Sequence, residues 1–398
     1  MCTGISPVQN LFLSSTFLLL VALSNVAPAE ALPSNLRVRL FEAHGRIESV
    51  QIRGPFNISE PGQKRILRNE WIRLSAKNRQ IEMFSHGNSR QPFLTGQRLT
   101  IEPLDRRGVR IRINRDNIER AYLGRLSFSV GETARLPSLR IVNEVPTIEY
   151  VASVVGSESP LRSPPEAIKA LAVLVIAIVE QKGERSLVGD STKEQAYKGC
   201  DHATPAIFSA VKAVYGKRLF FRKNPVQAFF HSTCAGGTSR GSDIFGINAK
   251  PLEYLESVSC EYCKESPFWK TKVSSLPLST MNRAFGGRLS ATKYDAQDRP
   301  TIVQVLDGAS VGKEMSGYEA WLKLGRTYGW GKVPGTRYQF RDNNENVVDV
   351  ESSGAGHGVG YCQWGGVGLA KQGKKYDEIL KFYFPRCSVR SISAGARR

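Results

Sequence analysis

Acidic residues are scarce: 36 Asp and Glu stand against 55 Lys and Arg in 398 residues, leaving a formal charge of +19. Such a surplus of positive charge points to an anionic partner. The basic residues are spread along the chain, with no basic arm or recognition helix, which argues against nucleic acid as that partner. Also missing is an uncharged apolar run long enough to cross a bilayer, so no transmembrane segment is expected beyond the leader described below. There are no internal repeats and no low-complexity tract, which excludes a solenoid or a linker-dominated chain. A chain of this length has room for a large core and for two lobes.

What is present begins with Leu11 to Leu23, a short apolar run followed by Ala27-Pro-Ala29 and Ala29-Glu-Ala31 as small-x-small cleavage sites. Residues 1–31 therefore read as a secretory signal peptide, although no Lys or Arg precedes the run, which leaves an uncleaved anchor open. Export directs the positive charge toward anionic polymers of the cell envelope and makes a secreted or periplasmic location the expectation. Six cysteines follow the leader: Cys200, Cys234, Cys260, Cys263, Cys362 and Cys387. An even number in an oxidising compartment suits disulfides. Cys260-x-x-Cys263 also follows His231-x-x-Cys234 by about a loop's length, the way two ligand pairs are offered to a tetrahedral zinc. Both readings stay open, with His231, Cys234, Cys260 and Cys263 as metal candidates and Cys200, Cys362 and Cys387 as structural or free thiols.

The densest chemistry lies in Gly354 to Gly366, where six glycines surround His357, Cys362, Gln363 and Trp364. Glycines let the backbone turn sharply and approach a ligand, and they add nothing to a core. The bland alternative is a tight loop whose imidazole is structural.

Residues 32–135 read as a β-rich region, since Leu36, Val38 and Leu40, like Val109, Ile111 and Ile113, alternate with exposed positions. His86 to Arg90 reads as a turn. From Ala167 to Val179 the chain is apolar on all sides, which predicts a buried helix, with Ser163 as N-cap, Pro164 and Pro165 at its start and Gly183 at its end. Further helices are expected at Pro205 to Val214 and, as one amphipathic element, at Gly368 to Phe384. A strand ending at Phe230 delivers His231 into a loop. The expected fold class is α+β, mixed and two-lobed, with residues 136–390 as the domain that carries the candidate chemistry, 270–350 as an inserted lobe and 391–398 as a basic tail.

A series of motifs runs in order from about 140 to 388: Asn143-x-Val-Pro-x-x-x-Tyr150, Val154-Val-x-x-Glu158-x-Pro160, Pro165-Glu-Ala-Ile-Lys-Ala170, Tyr197-x-Gly199, His231-Ser-Thr-Cys234 with Gly236 and Thr238, Gly356-His-Gly-Val-Gly360, Cys362-Gln-Trp-Gly365 and Tyr376-x-x-Ile-Leu-x-x-Tyr-x-Pro385. Together they resemble the stage II sporulation protein D family, SpoIID/LytB. The resemblance implies a peptidoglycan lytic transglycosylase that cleaves the β-1,4 bond between N-acetylmuramic acid and N-acetylglucosamine, with the catalytic acid mapping onto Glu158. It also implies a structural zinc beside the active loop, with His231, Cys234, Cys260 and Cys263 as the ligands to consider. Substrate contacts map onto Tyr197, Ser232, Thr238, His357, Tyr361, Gln363 and Trp364, and for Trp364 core packing is the alternative.

One carboxylate suffices for this chemistry, because the muramic acid's own C6 hydroxyl can attack the anomeric carbon; Val154 and Val155 are expected to give Glu158 an apolar pocket. Glycan stripped of its peptides by an amidase exposes lactyl carboxylates, which gives the basic surface an expected partner. The chain departs from the family where relatives carry Gln, Arg and Ser or Thr along the helix after the acid: here stand Leu171, Ile176 and Ala177. Two other outcomes therefore stay open, a muramidase using water as acceptor and a non-catalytic glycan-binding enhancer of an amidase.

Overall fold

The computed structural model describes residues 32–392, apart from 63, 67–68, 86–90, 114–116, 134–135, 184–185, 192–194, 247–251, 309 and 345. The expected leader, the His86 to Arg90 turn and most of the basic tail lie outside the described residues. The chain is a mixed α/β protein with many strands and, among the described residues, eight helices.

Alternation between residues 35 and 146 builds two largely antiparallel layers. A six-stranded sheet runs in the order Ile118–Tyr122, Val109–Ile113, Ser49–Arg53, Ile72–Lys77, Gln80–Phe84, Leu94–Gly96. A seven-stranded sheet is centred on Leu136–Pro146, which pairs antiparallel with Asn35–Arg39 on one side and Arg125–Thr133 on the other. On Asn35–Arg39 the period of two is clean: Leu36 and Val38 are buried, and Asn35, Arg37 and Arg39 are exposed. The short strand Leu187–Gly189 adds in parallel to Asn35–Arg39. Sheet pairing thus runs across residue 135, joining Arg125–Thr133 to Leu136–Pro146.

Pro146 ends the central strand, and the chain turns directly into helix α1, Thr147–Glu158. After a six-residue turn comes α2, Pro165–Lys182, in which eleven of eighteen residues are buried. Leu171, Ile176 and Ala177 are among them, so the apolar substitutions along this helix are core residues. Ser163 is not its N-cap: the cap position is Pro164, and the Ser163 hydroxyl bonds back to Pro160 O at 2.6 Å, closing the turn instead. Gly183 does end the helix, at φ 70°. Helix α3, Pro205–Val214, is capped by Thr204 and packs on α1 and α2.

Helix α4, Gly241–Phe245, follows the His231 loop. The stretch expected as an insert, 270–350, carries α5, Leu278–Phe285, and α6, Gly317–Tyr328, against two three-stranded sheets. It has its own apolar cluster around Leu276, Met281, Trp321 and Val350, separate from the main core. Helix α6 starts on a full capping box, Ser316 with Glu319.

The single helix expected over Gly368 to Phe384 is two: α7, Gln363–Lys371, and α8, Tyr376–Tyr383. Gly373, at φ 86°, takes the left-handed conformation that ends α7, and Glu378 reaches back to the Lys375 N–H to begin α8. Both pack on α2, which is why that helix is apolar all round. No described helix is long and apolar enough to cross a membrane.

Candidate functional site

Glu158 is the last residue of α1. Its half-buried side chain follows the fully buried Val154 and Val155. The carboxylate does not lie in a wholly apolar pocket, because its Oε1 accepts the Ala196 N–H at 2.9 Å. That contact comes from a segment laid tightly over α1: a Cβ at Gly156 would sit 2.3 Å from His202 O. The next turn, Ser159 to Pro164, projects Leu161 into solvent and holds Arg162 at φ 59°.

Tyr197, one residue beyond Ala196, is not a surface contact. It is fully buried, stacks on Tyr150 with centroids 5.0 Å apart, and donates its hydroxyl to Asn143 Oδ1 at 2.6 Å. Burial holds that hydroxyl well above its ordinary titration range.

The Gly-rich segment threads beside the His231 loop. Phe230–His231 pairs in parallel with Tyr361–Cys362, and single bridges join Thr233 to Ala355 and Ser239 to Val359. Gly354, Gly356, Gly358 and Gly360 all have positive φ, between 69° and 91°. A side chain at Gly358 would also collide with Arg299, whose Nε would lie 2.4 Å from a Cβ there.

Two imidazoles meet in this interior with ring centroids 5.4 Å apart. His357 is half-buried. It accepts the Val359 N–H on Nδ1 at 3.2 Å and so donates from Nε2 to Phe230 O at 2.8 Å. Burial lowers its pKa to about 4. His231 donates from Nδ1 to Val359 O at 3.1 Å, which leaves its buried Nε2 as an acceptor without a partner. Its pKa is driven well below the imidazole norm, again by burial first.

The remaining residues expected to touch substrate divide by burial. Tyr361 is a core residue whose hydroxyl reaches Ala167 O in the first turn of α2, at 3.3 Å. Thr238 is fully buried and pins the antiparallel pair Gly236–Thr238 and Val258–Cys260 by accepting the Val258 N–H at 3.1 Å. Gln363 is buried, and its Nε2 has no partner. Ser232 and Trp364 are half-buried, linked through Trp364 N–H to Ser232 O at 3.1 Å, and the indole packs on the main core. Glu158, Ser232, His357 and Trp364 thus retain access to solvent. Tyr197, Thr238, Tyr361 and Gln363, also expected to touch substrate, are buried.

Four sulfurs converge behind this surface. Cys234, Cys260, Cys263 and Cys362 are buried, and their Sγ atoms all lie within 4.8 Å of one another. Cys234 and Cys263 are 3.5 Å apart, and all six described cysteines are free thiols. Sulfurs around a tetrahedral zinc stand about 3.8 Å apart, against about 2 Å in a disulfide. The donors fit as well. Cys362 Sγ accepts N–H bonds from Cys234 and Gly365, both at 3.3 Å, and Tyr383 Oη lies 3.1 Å from Cys260 Sγ. Crowding splits the thiols: hydrogen bonding, first from Cys234, drives Cys263 well down, and burial drives Cys362 up.

The fourth member of the group is therefore Cys362 and not His231. These two are register partners across the parallel strand pair, and the pairing carries the Cys362 sulfur to the cluster while the His231 ring turns to Val359 and His357. Cys200 and Cys387 stand apart, raised by burial to about 11 and about 12. Sequence reasoning also passed over Arg299, which nothing in its local pattern marks.

The comparisons bear on the same segments. The family model described as stage II sporulation protein matches residues 136–221, which span Glu158 and the whole of α2. Stage II sporulation protein D of Bacillus amyloliquefaciens is 31% identical over 266 residues, covering 61% of this chain and 74% of that protein. The chain belongs to the stage II sporulation protein D family. Stage II sporulation protein D of Bacillus subtilis (strain 168) is 30% identical over 278 residues, covering 64% of this chain and 77% of that one. An uncharacterized protein of Brachyspira hyodysenteriae is 26% identical over 254 residues.

Proposed function

We propose that this protein is a peptidoglycan lytic transglycosylase of the cell envelope, secreted or periplasmic, acting on glycan strands during division, sporulation or wall remodelling. The observation that carries this reading is the placement of Glu158: a half-exposed carboxylate at the end of a largely buried helix, its Oε1 held by the Ala196 N–H and its Oε2 without a partner among the described residues. Here the glycan lies in a central cleft between the helical body and the inserted lobe. Glu158 donates a proton to the glycosidic oxygen as the C1–O bond breaks. The resulting carboxylate takes the proton of the muramic acid C6 hydroxyl, whose oxygen bonds to C1 and closes the 1,6-anhydro ring. Ser232 supplies a hydrogen bond to the sugar and Trp364 stacks its indole face on a ring, while His357, with both ring nitrogens taken by Val359 N–H and Phe230 O, fixes the loop beside them.

The four cysteines hold a structural zinc in this account. Four thiolates fill its shell and leave no open position, so the ion would fix the His231 and Gly354–Gly366 loops without touching substrate. The +19 charge favours glycan denuded by an amidase, whose lactyl carboxylates make it a polyanion.

Mass spectrometry of products from peptide-free and peptide-bearing strands tests the proposal. Anhydro-muramyl ends from wild type and none from Glu158→Gln support it. Reducing ends transfer the protein to the muramidases, and intact strands with retained binding make it a glycan-binding enhancer.

A further inference from the structure

Among the described residues Arg299 is the largest fully buried side chain, at 2% exposure, and it belongs to the insert. Its guanidinium has three partners: Nη2 donates to Cys234 O at 2.7 Å, Nη1 to Ser239 Oγ at 3.1 Å and Nε to Thr336 Oγ1 at 3.2 Å. All three acceptors are neutral. No carboxylate among the described residues lies within ion-pair distance of it, and Asp295 stands one hydroxyl away, bonded to Ser239. A buried cation without a contacting anion costs several kcal/mol unless charge of the opposite sign lies close by.

Such charge is at hand twice. Asp295 is the leading favourable charge on the guanidinium, and Cys234, whose carbonyl Arg299 holds, and Cys362, both among the four clustered cysteines, add to it. Loaded with a divalent metal, four thiolates carry a net charge of −2, itself unfavourable in an interior. A second arginine of the insert repeats the contact one residue on: Arg337 Nη1 donates to Ala235 O at 2.6 Å. Arg337 is already paired with Asp298 at 2.7 Å, whereas Arg299 is not paired with any acid. At 2% exposure Arg299 has no route to a glycan, so substrate binding does not explain it.

We infer that Arg299 is the buried counter-charge of a four-thiolate metal centre, through which the insert stabilises the loaded form. This rests on the reading of the four cysteines as a metal site. It makes metal binding and docking of the insert reciprocal: each strengthens the other by the same factor.

The test is zinc affinity of the full-length protein by chelator competition, with thermal unfolding of apo and loaded forms. Arg299→Met weakens zinc about 10- to 100-fold, the range for partners lying just outside a metal's ligands, and shrinks the rise in melting temperature on loading. Arg299→Lys, which keeps the charge and loses the fork, retains most of the affinity. Asp295→Asn removes the competing anion and shifts affinity the other way, tightening zinc, and it gives the answer if Arg299→Met fails to fold. Equal zinc affinity in wild type, Arg299→Met and Asp295→Asn overturns the counter-charge. Equal loss in Arg299→Met and Arg299→Lys also overturns it, assigning Arg299 to hydrogen bonding alone. A wild type that takes up no metal removes the four-thiolate reading itself, and the counter-charge with it.

Discussion

The two halves of the candidate site are held in opposite ways. Glu158 hangs from the end of α1, half exposed, and among the described residues a single backbone N–H holds its carboxylate. The loops of His231 and Gly354–Gly366 are tied by parallel pairing, isolated bridges, two imidazoles, a buried arginine and four sulfurs. Lightly held groups are free to exchange protons with a ligand, and heavily bonded ones fix geometry. Mutations on the first half should therefore remove activity and spare stability. Those on the second, Ser232 and Trp364 apart, should do the reverse.

The largest loss is expected at the sulfurs. Cys362→Ser, or chelation of the wild type, should destabilise the fold by about 4 kcal/mol or more, read as a drop in the urea midpoint. A fold indifferent to both would break the comparison at its strongest point. Gly358→Ala comes next. It imposes a Cβ at φ 76° and 2.4 Å from Arg299 Nε, and a loss of about 3 kcal/mol is expected with cleavage per folded molecule preserved.

Acid should loosen the same half. Burial holds His357 at about 4, below its ordinary 6.5, so between these values the unfolded chain binds a proton that the folded one refuses. Stability is then complete above pH 6.5 and falls as pH drops toward 4, by at most on the order of 3 kcal/mol. His231, shifted the same way, adds to the fall. Urea titrations at pH 7.5, 6 and 5 read the slope, and His357→Asn should flatten it. The smallest effect belongs to Tyr197→Phe, which leaves Asn143 Oδ1 without its donor for about 1 to 2 kcal/mol. KM for glycan should not move, because that side chain lies in the core; a raised KM would return Tyr197 to the substrate.

Elements with a period or a cap were legible in the sequence, and contacts made by loops were not. Helices α2 and α3 and the strands around Leu36 and Ile111 stand where spacing and punctuation put them, because burial on one face or on all faces leaves a pattern. Glu158 was reached through its motif. Tyr197, Tyr361 and Thr238 lie in segments without a period, so nothing in the sequence says which way they face, and the fold buries them. Cys362 joins Cys263 from almost a hundred residues away through a parallel pairing that no local spacing encodes. The break between α7 and α8 turns on Gly373, one glycine within an otherwise continuous amphipathic pattern.

The most direct measurement is product analysis of purified wild type and Glu158→Gln on denuded glycan, with a urea melt of each. General acid–base catalysis at this residue predicts anhydro-muramyl ends from wild type and a loss of about 100- to 10,000-fold in the variant, with stability unchanged within about 0.5 kcal/mol. Undiminished cleavage by the variant, or a variant that fails by unfolding, would contradict the division of the site into a reactive half and a scaffold.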